Sequence, residues 1–565
     1  MATPSLPCAH CSPDGTSCQN TGKSSCANCS LVVYCGSECQ KAHWLIHKLD
    51  CKSSLNKASW KPEWAIQGRT PAFMDPEAGE LFGGRKYLLG NVPALDVLRL
   101  DANEGESYEG HLRLLFAASG DLRNVIKTIA QIPPTYDQPI DIVINDRDID
   151  IAARNVILLL IALTVDDQDE AVDCMIHVWY SAFIRKSHVD ILKQRIRPFI
   201  QSACDKIKNK SGMTVFRRTW TFRKRTLRLI LEKTAWDKLL CFTDVPGDLT
   251  IDKAREIRQA VTVARSRIDY RDRTFLFQSP PHRVAKQRYY QDGLLLRFGA
   301  QRSEYCEPNP TFFQFGNTWP MQDSADPVEG WSLGEVEKTR IGLAASDVYG
   351  KLFYYIRSMI EMFLDRVCKS TVGFQLLQVD AVELGDELEG PFDRIEVSNI
   401  SDGGYLGIRS TVAMMAPLLR KPSINPHATL VTLFMNMVDE NWTIMDEFAD
   451  CSPTSLANRR LVHCLPVVHP LMDPADPAMV KVTYGASHLR EYDNIFQRVV
   501  NHLELKSFPD WSGAMMKEKH TIIEKWPYRL KLGPGQAGGK EEFDLLMEGG
   551  SSGKELYLEW KRIQE

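Results

Sequence analysis

From residue 112 onward, short continuous apolar runs alternate with stretches of helical period. Residues 112–116 (Leu-Arg-Leu-Leu-Phe) form such a run, closed by the small-residue turn Ala117-Ala118-Ser119-Gly120-Asp121. A brief run without alternation fits a strand covered on both faces. Residues 122–130 then carry apolar side chains at helical spacing. Residues 140–144 read as a second buried strand, followed by Asn145-Asp146 and a predicted helix over 149–163. Further along, 374–384 predicts a third strand ending in acids, 392–399 a fourth, 408–419 an amphipathic helix and 429–434 another strand. Between the two strand-bearing tracts, residues 166–370 read as mainly helical. Within them, 301–336 is rich in Pro, Gly, Asn, Phe and Trp and predicts an irregular but packed region, with helix resuming near Leu343 and running to Cys368. Strands alternating with helices predict an α/β class with a largely parallel sheet.

The first 51 residues follow neither period. Eight cysteines fall there, seven of them paired with one another or with a histidine: Cys8-x2-Cys11, Cys26-x2-Cys29, Cys35-x3-Cys39 and His47-x3-Cys51. Four pairs of soft ligands supply two closed tetrahedral Zn²⁺ sites. A segment this short has little apolar core, so metal binding has to provide most of its folding free energy. Disulfides would require an oxidising compartment, and the opening residues lack the basic and apolar regions of a secretory leader. Cys18 and His43 stand outside the pairing; Cys18, in the long gap after Cys11, is the candidate to displace Cys26.

The run Tyr34-Cys35-Gly36-Ser37-Glu38-Cys39-Gln40, then His43-Trp44, His47-Lys48 and Cys51, closely resembles the MYND-type zinc finger. The resemblance implies interleaved pairs, with one zinc on Cys8, Cys11, Cys35 and Cys39 and the other on Cys26, Cys29, His47 and Cys51. It also implies a protein partner, in the form of a short proline-containing peptide docking at the positions matching Gln40 and Trp44. Closed zinc sites of this kind do no chemistry.

The order strand, small turn, helix, strand, acid is a Rossmann-like opening. The helix end after the turn can hold an anion, and the acid after the second strand can accept from ribose hydroxyls. The later strands resemble the second half of a class I methyltransferase that uses S-adenosylmethionine. That likeness implies Gly120 and Asp121 at the amino acid end of the donor, Asp146 at the ribose and Asp380 at the adenine. The turn departs from the pattern: Phe116 stands where an acid is usual, and Ala118 and Leu122 replace two of three glycines. On this reading Phe116, Ala118 and Leu122 fill the space a donor needs, and the fold is kept as a scaffold. Finally, Gly90-Asn91-Val92-Pro93-Ala94-Leu95-Asp96 and residues 117–124 resemble a fungal group with MYND fingers. Its middle domain, of unknown function, is related to the N-terminal part of an axonemal dynein assembly factor.

Composition narrows the remainder. A formal charge of −4 over 565 residues argues against a globally basic nucleic-acid binder. The local exception is 216–225 (Phe-Arg-Arg-Thr-Trp-Thr-Phe-Arg-Lys-Arg), where interleaved aromatics can stack on bases, although a solvated face whose arginines pair with acids such as Asp166, Asp167 and Asp169 is the preferred reading. The remaining cysteines are single, and the longest apolar run, 156–165, is about half of what a bilayer requires. Cytoplasm or nucleus follows, with no membrane. His463, Cys464 and His469 lie in a β-like run over 461–471 and are too scattered for a metal site. The expected architecture is a zinc finger (1–52) and a Rossmann-like, methyltransferase-like domain in two halves (80–165 and 371–440). A mainly helical insertion (166–370) splits it, and an irregular C-terminal region (441–565) follows. The function read from it is a zinc-binding interaction or assembly protein. The alternative is an S-adenosylmethionine-dependent methyltransferase acting on protein or nucleic acid, targeted by the finger.

Overall fold

A computed structural model of the chain describes residues 4–12, 16–75, 77, 79–388, 390–465 and 473–563. The finger closes on one helix, α1 (Ser37–Cys51), which follows a two-residue ladder pairing Ser24–Ser25 with Val33–Tyr34. The large domain is built on nine strands: β1 (Leu112–Ala117), β2 (Ile140–Asn145), β3 (Val215–Phe222), β4 (Arg225–Glu232), β5 (Val372–Leu377), β6 (Arg394–Glu396), β7 (Thr429–Phe434), β8 (Ala514–Met516) and β9 (Leu556–Arg562). They hydrogen-bond in the order β8-β9-β7-β6-β1-β2-β5-β4-β3. Six consecutive members, from β7 to β4, are parallel, whereas β9 and β3 run against their neighbours. The chain therefore lays β2 beside β1, passes to the far edge for β3, works back through β4 to β5 beside β2, then crosses to lay β6 and β7 on the other side of β1.

The apolar runs become strands because both sheet faces are covered. Leu112, Leu114 and Phe116 face one core with Ile140, Ile142 and Ile144, while Leu115 and Ala117 face a second core with Val143, Ile395 and Leu430. On the first face lie α2 (Arg123–Gln131), α3 (Ile149–Thr164) and α4 (Val348–Lys369). Helix α3 is apolar nearly all round, as a helix enclosed by its neighbours should be; Asp148 caps its first turn by accepting from the Asp150 N–H. The finger packs on this same core through Cys8, Leu31, Val32 and Tyr34.

Several expectations change. Residues 166–370 are not helical throughout, because 215–232 folds as the β3–β4 hairpin and extends the sheet beyond β5. Its aromatics point inward: Trp220 is buried, and Phe216 and Trp220 both lie against Trp236. They are thereby removed from base stacking, and Arg217 pairs with Glu387 at 2.8 Å. The described residues of 441–565 are not irregular. They contribute β8, β9 and several helices, because Trp560, Leu556 and Leu558 complete the second core. Residues 456–464 are helical, not β-like, and His469 lies outside the described residues. The third and fourth strands end earlier than their apolar patterns, at Leu377 and Glu396, so Asp380 sits in the loop beyond β5.

Candidate metal centres and a polar crevice

Two groups of four ligand side chains converge in the finger. Cys26, Cys29, His47 and Cys51 form one, all buried; Cys8, Cys18, Cys35 and Cys39 form the other, and within each group the ligand atoms lie within 4.8 Å of one another. A tetrahedral zinc with Zn–S near 2.3 Å and Zn–N near 2.0 Å sets S···S edges at roughly 3.8 Å and S···N edges at roughly 3.5 Å. The observed spacings are 3.7 Å for Cys26–Cys51, 3.4 Å for Cys29 Sγ to His47 Nε2, 3.7 Å for Cys18–Cys35, 3.5 Å for Cys35–Cys39 and 3.9 Å for Cys18–Cys39. Both donor sets thus fit one zinc ion each.

Local structure places the donors. His47 and Cys51 are one turn apart within α1 and share a helix face, whereas Cys35 stands just before the extended N-cap Gly36 and Cys39 in the helix's first turn. Burial holds the His47 imidazole neutral down to about 4, the form that ligates. Burial also drives the Cys29 thiol far up, a penalty reinforced by Cys26 and Cys51 and one that a cation among them removes. Asn28 Nδ2 donates to Cys51 Sγ at 3.2 Å and supports a thiolate there.

One expected ligand stands apart from its group. Cys11 does not join the first group; Cys18 takes that place, and Cys11 Sγ instead points to the Ser12 carbonyl at 3.6 Å. Nor does Cys18 displace Cys26, which stays with Cys29. His43 is not a donor either: its Nδ1 meets the Tyr34 hydroxyl at 3.0 Å.

Gln40 and Trp44 lie one turn apart and half-buried on α1, with the Trp44 ring edge-on to His47 and Lys52 Nζ 5.6 Å above it. Elsewhere on α1, Leu45, Ile46 and Leu49 are exposed, at 71%, 58% and 71%. On another side of α1, His43, Ile46, His47 and Asp50 wall a groove of about 600 Å³ against Arg288 and residues 297–303. Gln40 and Trp44 do not line it.

A second feature lies at the carboxyl ends of β1, β2, β5, β6 and β7, where a crevice of about 770 Å³ opens beneath residues 85–92. Gly120, Asp121, Asp146 and Asp380 all line it, with Asn145, Ser398 and Asn436. Gly120 has φ +60, and its N–H donates to Asp146 Oδ2 at 3.0 Å. Burial raises the Asp146 carboxyl to about 6. Asp121 is already engaged, accepting from the Gly90 N–H at 2.9 Å and from Arg123 at 2.6 Å. Asn145 is fully buried; its Oδ1 accepts from the Val379 N–H, whereas its Nδ2 has no partner. Two residues other than glycine hold left-handed backbones here, Ala118 at φ 56° and Ser398 at φ 50°. Such strain costs about 1–3 kcal/mol each and clusters at functional sites. Phe116 and Leu122 do not fill this space; both are buried in the first core and neither lines the crevice. Ala118 alone of the three reaches it.

Residues 7–51 match the MYND finger family. Residues 88–184 match a domain of unknown function (DUF4470), which spans β1, β2 and the helices after them. Against curated proteins, the chain is 36% identical over 75 residues to the Caenorhabditis elegans hypoxia-inducible factor prolyl hydroxylase, covering 13% of this chain and 10% of that one. It is 35% identical over 60 residues to the Gallus gallus N-lysine methyltransferase SMYD2, covering 10% of this chain and 13% of that one. The chain thus spans about a tenth of the length of these relatives. No solved structure matches. MYND fingers mediate protein–protein interactions. Among the described residues no helix is long and apolar enough to cross a membrane.

Proposed function

We propose that this chain is an interaction or assembly protein whose MYND finger, built on two zinc ions, captures an extended, proline-containing segment of a partner. The observation that carries this reading is the pair of closed four-donor clusters beneath α1, a helix that carries the half-buried Gln40 and Trp44 and leaves Leu45, Ile46 and Leu49 exposed. Closed sites perform no reaction, so their contribution is to hold that surface. A proline-rich segment is already extended and loses little entropy on docking, and an indole offers it a flat apolar contact. The finger is fixed to the large domain, with Arg288 paired to Asp50 and Arg297 Nη1 donating to the Pro7 carbonyl at 3.3 Å, so a captured partner is presented to the body in one orientation. The resemblance to an assembly factor's N-terminal part agrees with such a role. The test is titration of a fluorescent proline-containing peptide into the zinc-loaded chain. Trp44→Ala should weaken binding at least tenfold at unchanged zinc content, and equal affinity in the variant would refute the peptide reading.

A second reading is favoured by the crevice. Its position, at the carboxyl ends of parallel strands where the chain reverses its order across β1 and β6, is where open α/β sheets take their ligands. An S-adenosylmethionine donor there would set its ribose hydroxyls on Asp146 and its adenine toward Asp380, with the turn at Gly120 and Asp121 facing its amino acid end. Losing a ribose contact costs about 1–3 kcal/mol, so Asp146→Ala should weaken the donor roughly five- to a hundredfold. Calorimetry that detects no heat with millimolar S-adenosylmethionine leaves the crevice a docking feature of a scaffold. Tight binding abolished by Asp146→Ala makes the methyltransferase the better account.

A further inference from the structure

The first metal site departs from the paired motif, and the departure follows from the backbone. Residues 6–12 and 16–22 pair antiparallel, with Cys8 N–H donating to Asn20 O at 2.9 Å, Cys18 N–H to His10 O at 2.9 Å and Gly22 N–H to Leu6 O at 2.8 Å. Pro7 pairs with Thr21 and Cys11 with Ser17. Each pairing joins an even residue to an even one or an odd residue to an odd one. Side chains alternate across an extended strand, and directly opposed residues share a face. Cys8 and Cys18 therefore face the same side and Cys11 the other. Two cysteines three residues apart converge on one metal when they sit on a tight turn; on a paired strand they diverge. The hairpin also lies close on the strand that leads into Cys35. Ala9 N–H donates to Val33 O at 2.8 Å, and a Cβ on Gly22 would stand 2.5 Å from the Val33 side chain. The even face is thereby set over Cys35 and Cys39.

We infer that the first zinc is held by Cys8, Cys18, Cys35 and Cys39, and that Cys11, although part of the Cys-x2-Cys signature, is not a ligand. This rests on the finger binding zinc but not on what the finger captures. The same hairpin touches the large domain: Ser17 bonds Gln301, and a Cβ on Gly299 would come within 2.9 Å of Ala9. Zinc at this site therefore also steadies the joint between finger and body.

Differential alkylation of the full, zinc-loaded chain tests the assignment without any variant. Iodoacetamide labelling, mapped by peptide mass spectrometry, should modify Cys11 together with the exposed Cys241, Cys306, Cys368 and Cys451 as internal controls. Cys8, Cys18, Cys35 and Cys39 should be protected until a chelator is added. Protection of Cys11, or labelling of Cys18 before chelation, overturns the inference. Cys11→Ser should keep two zinc ions per chain, and Cys18→Ser should fall to one with a matching loss of thiolate-to-metal absorption after cobalt substitution. Should Cys18→Ser aggregate, the alkylation pattern of the native chain still decides. Loss of one zinc in Cys11→Ser, or two zincs retained in Cys18→Ser, would return the site to the paired motif or make the two cysteines interchangeable, and either result refutes the assignment.

Discussion

Single side chains in the interior carry charges that fix the fold and set its response to pH. Glu396, at the end of β6, is buried, and burial raises its carboxyl to about 7 from an ordinary value near 4.5. One oxygen accepts from the Ser398 N–H at 2.7 Å, and the other has no partner. An acid whose folded pKa is raised binds its proton more tightly when folded, so stability is lost as pH rises from about 4.5 through about 7. The loss is on the order of 3 kcal/mol once the proton is gone. Glu396→Gln should flatten this dependence, so denaturant midpoints at pH 5 and pH 8 should differ less in the variant than in the parent; an identical slope would contradict the assignment. Arg394 on the same strand is fully buried against Glu104 at 2.8 Å and also donates to the Leu98 and His427 carbonyls. Removing one member leaves the other charge buried alone, at a cost of about 3–5 kcal/mol. Glu104→Ala should lower the urea midpoint accordingly, and a shift within error would mean that water reaches the guanidinium.

At the scale of elements, the strands that the sequence made legible are those whose pattern is one buried run. β1, β2 and β7 are covered on both faces and contain little but apolar residues. β3 and β4 were not legible, because arginines interleave with aromatics in the first and with leucines in the second, a pattern that a solvated helix face also produces. β9 was hidden by Glu559, a buried acid within an apolar strand, whose charge Lys517 and the Thr521, Ile522 and Ile523 N–H groups satisfy. Only the tertiary fold brings those donors together, so no local signal marks them. In the finger, the regular pairing drew attention to Cys11 and away from Cys18; the signal that finds Cys18 is residue parity along a hairpin, which requires the register to be known. The crevice residues Gly120, Asp146 and Asp380 could be placed from strand ends alone, whereas the orientation of Phe116 and Leu122 depends on which face α2 covers. Because α1 and its donors form the finger's interior, Cys26→Ser should unfold the finger alone. Limited proteolysis should then cut within residues 4–64 while the large domain persists as a resistant fragment, and cleavage spread through the sheet would show that the two share one cooperative unit.

For the whole molecule, the account joins a metal-built recognition surface to an α/β body that holds it in place and carries a polar crevice of its own. Partner capture at α1 and ligand binding at the carboxyl ends of the strands use separate residues, so Trp44→Ala and Asp146→Ala should each leave the other function intact. Partner capture presupposes the finger's two closed sites. Native mass spectrometry of the intact chain is the direct measurement of that claim. The account predicts the mass of the polypeptide plus two zinc ions, lost on chelation together with peptide binding. A chain that carries fewer than two zincs, or that binds the peptide unchanged after both are removed, would contradict it.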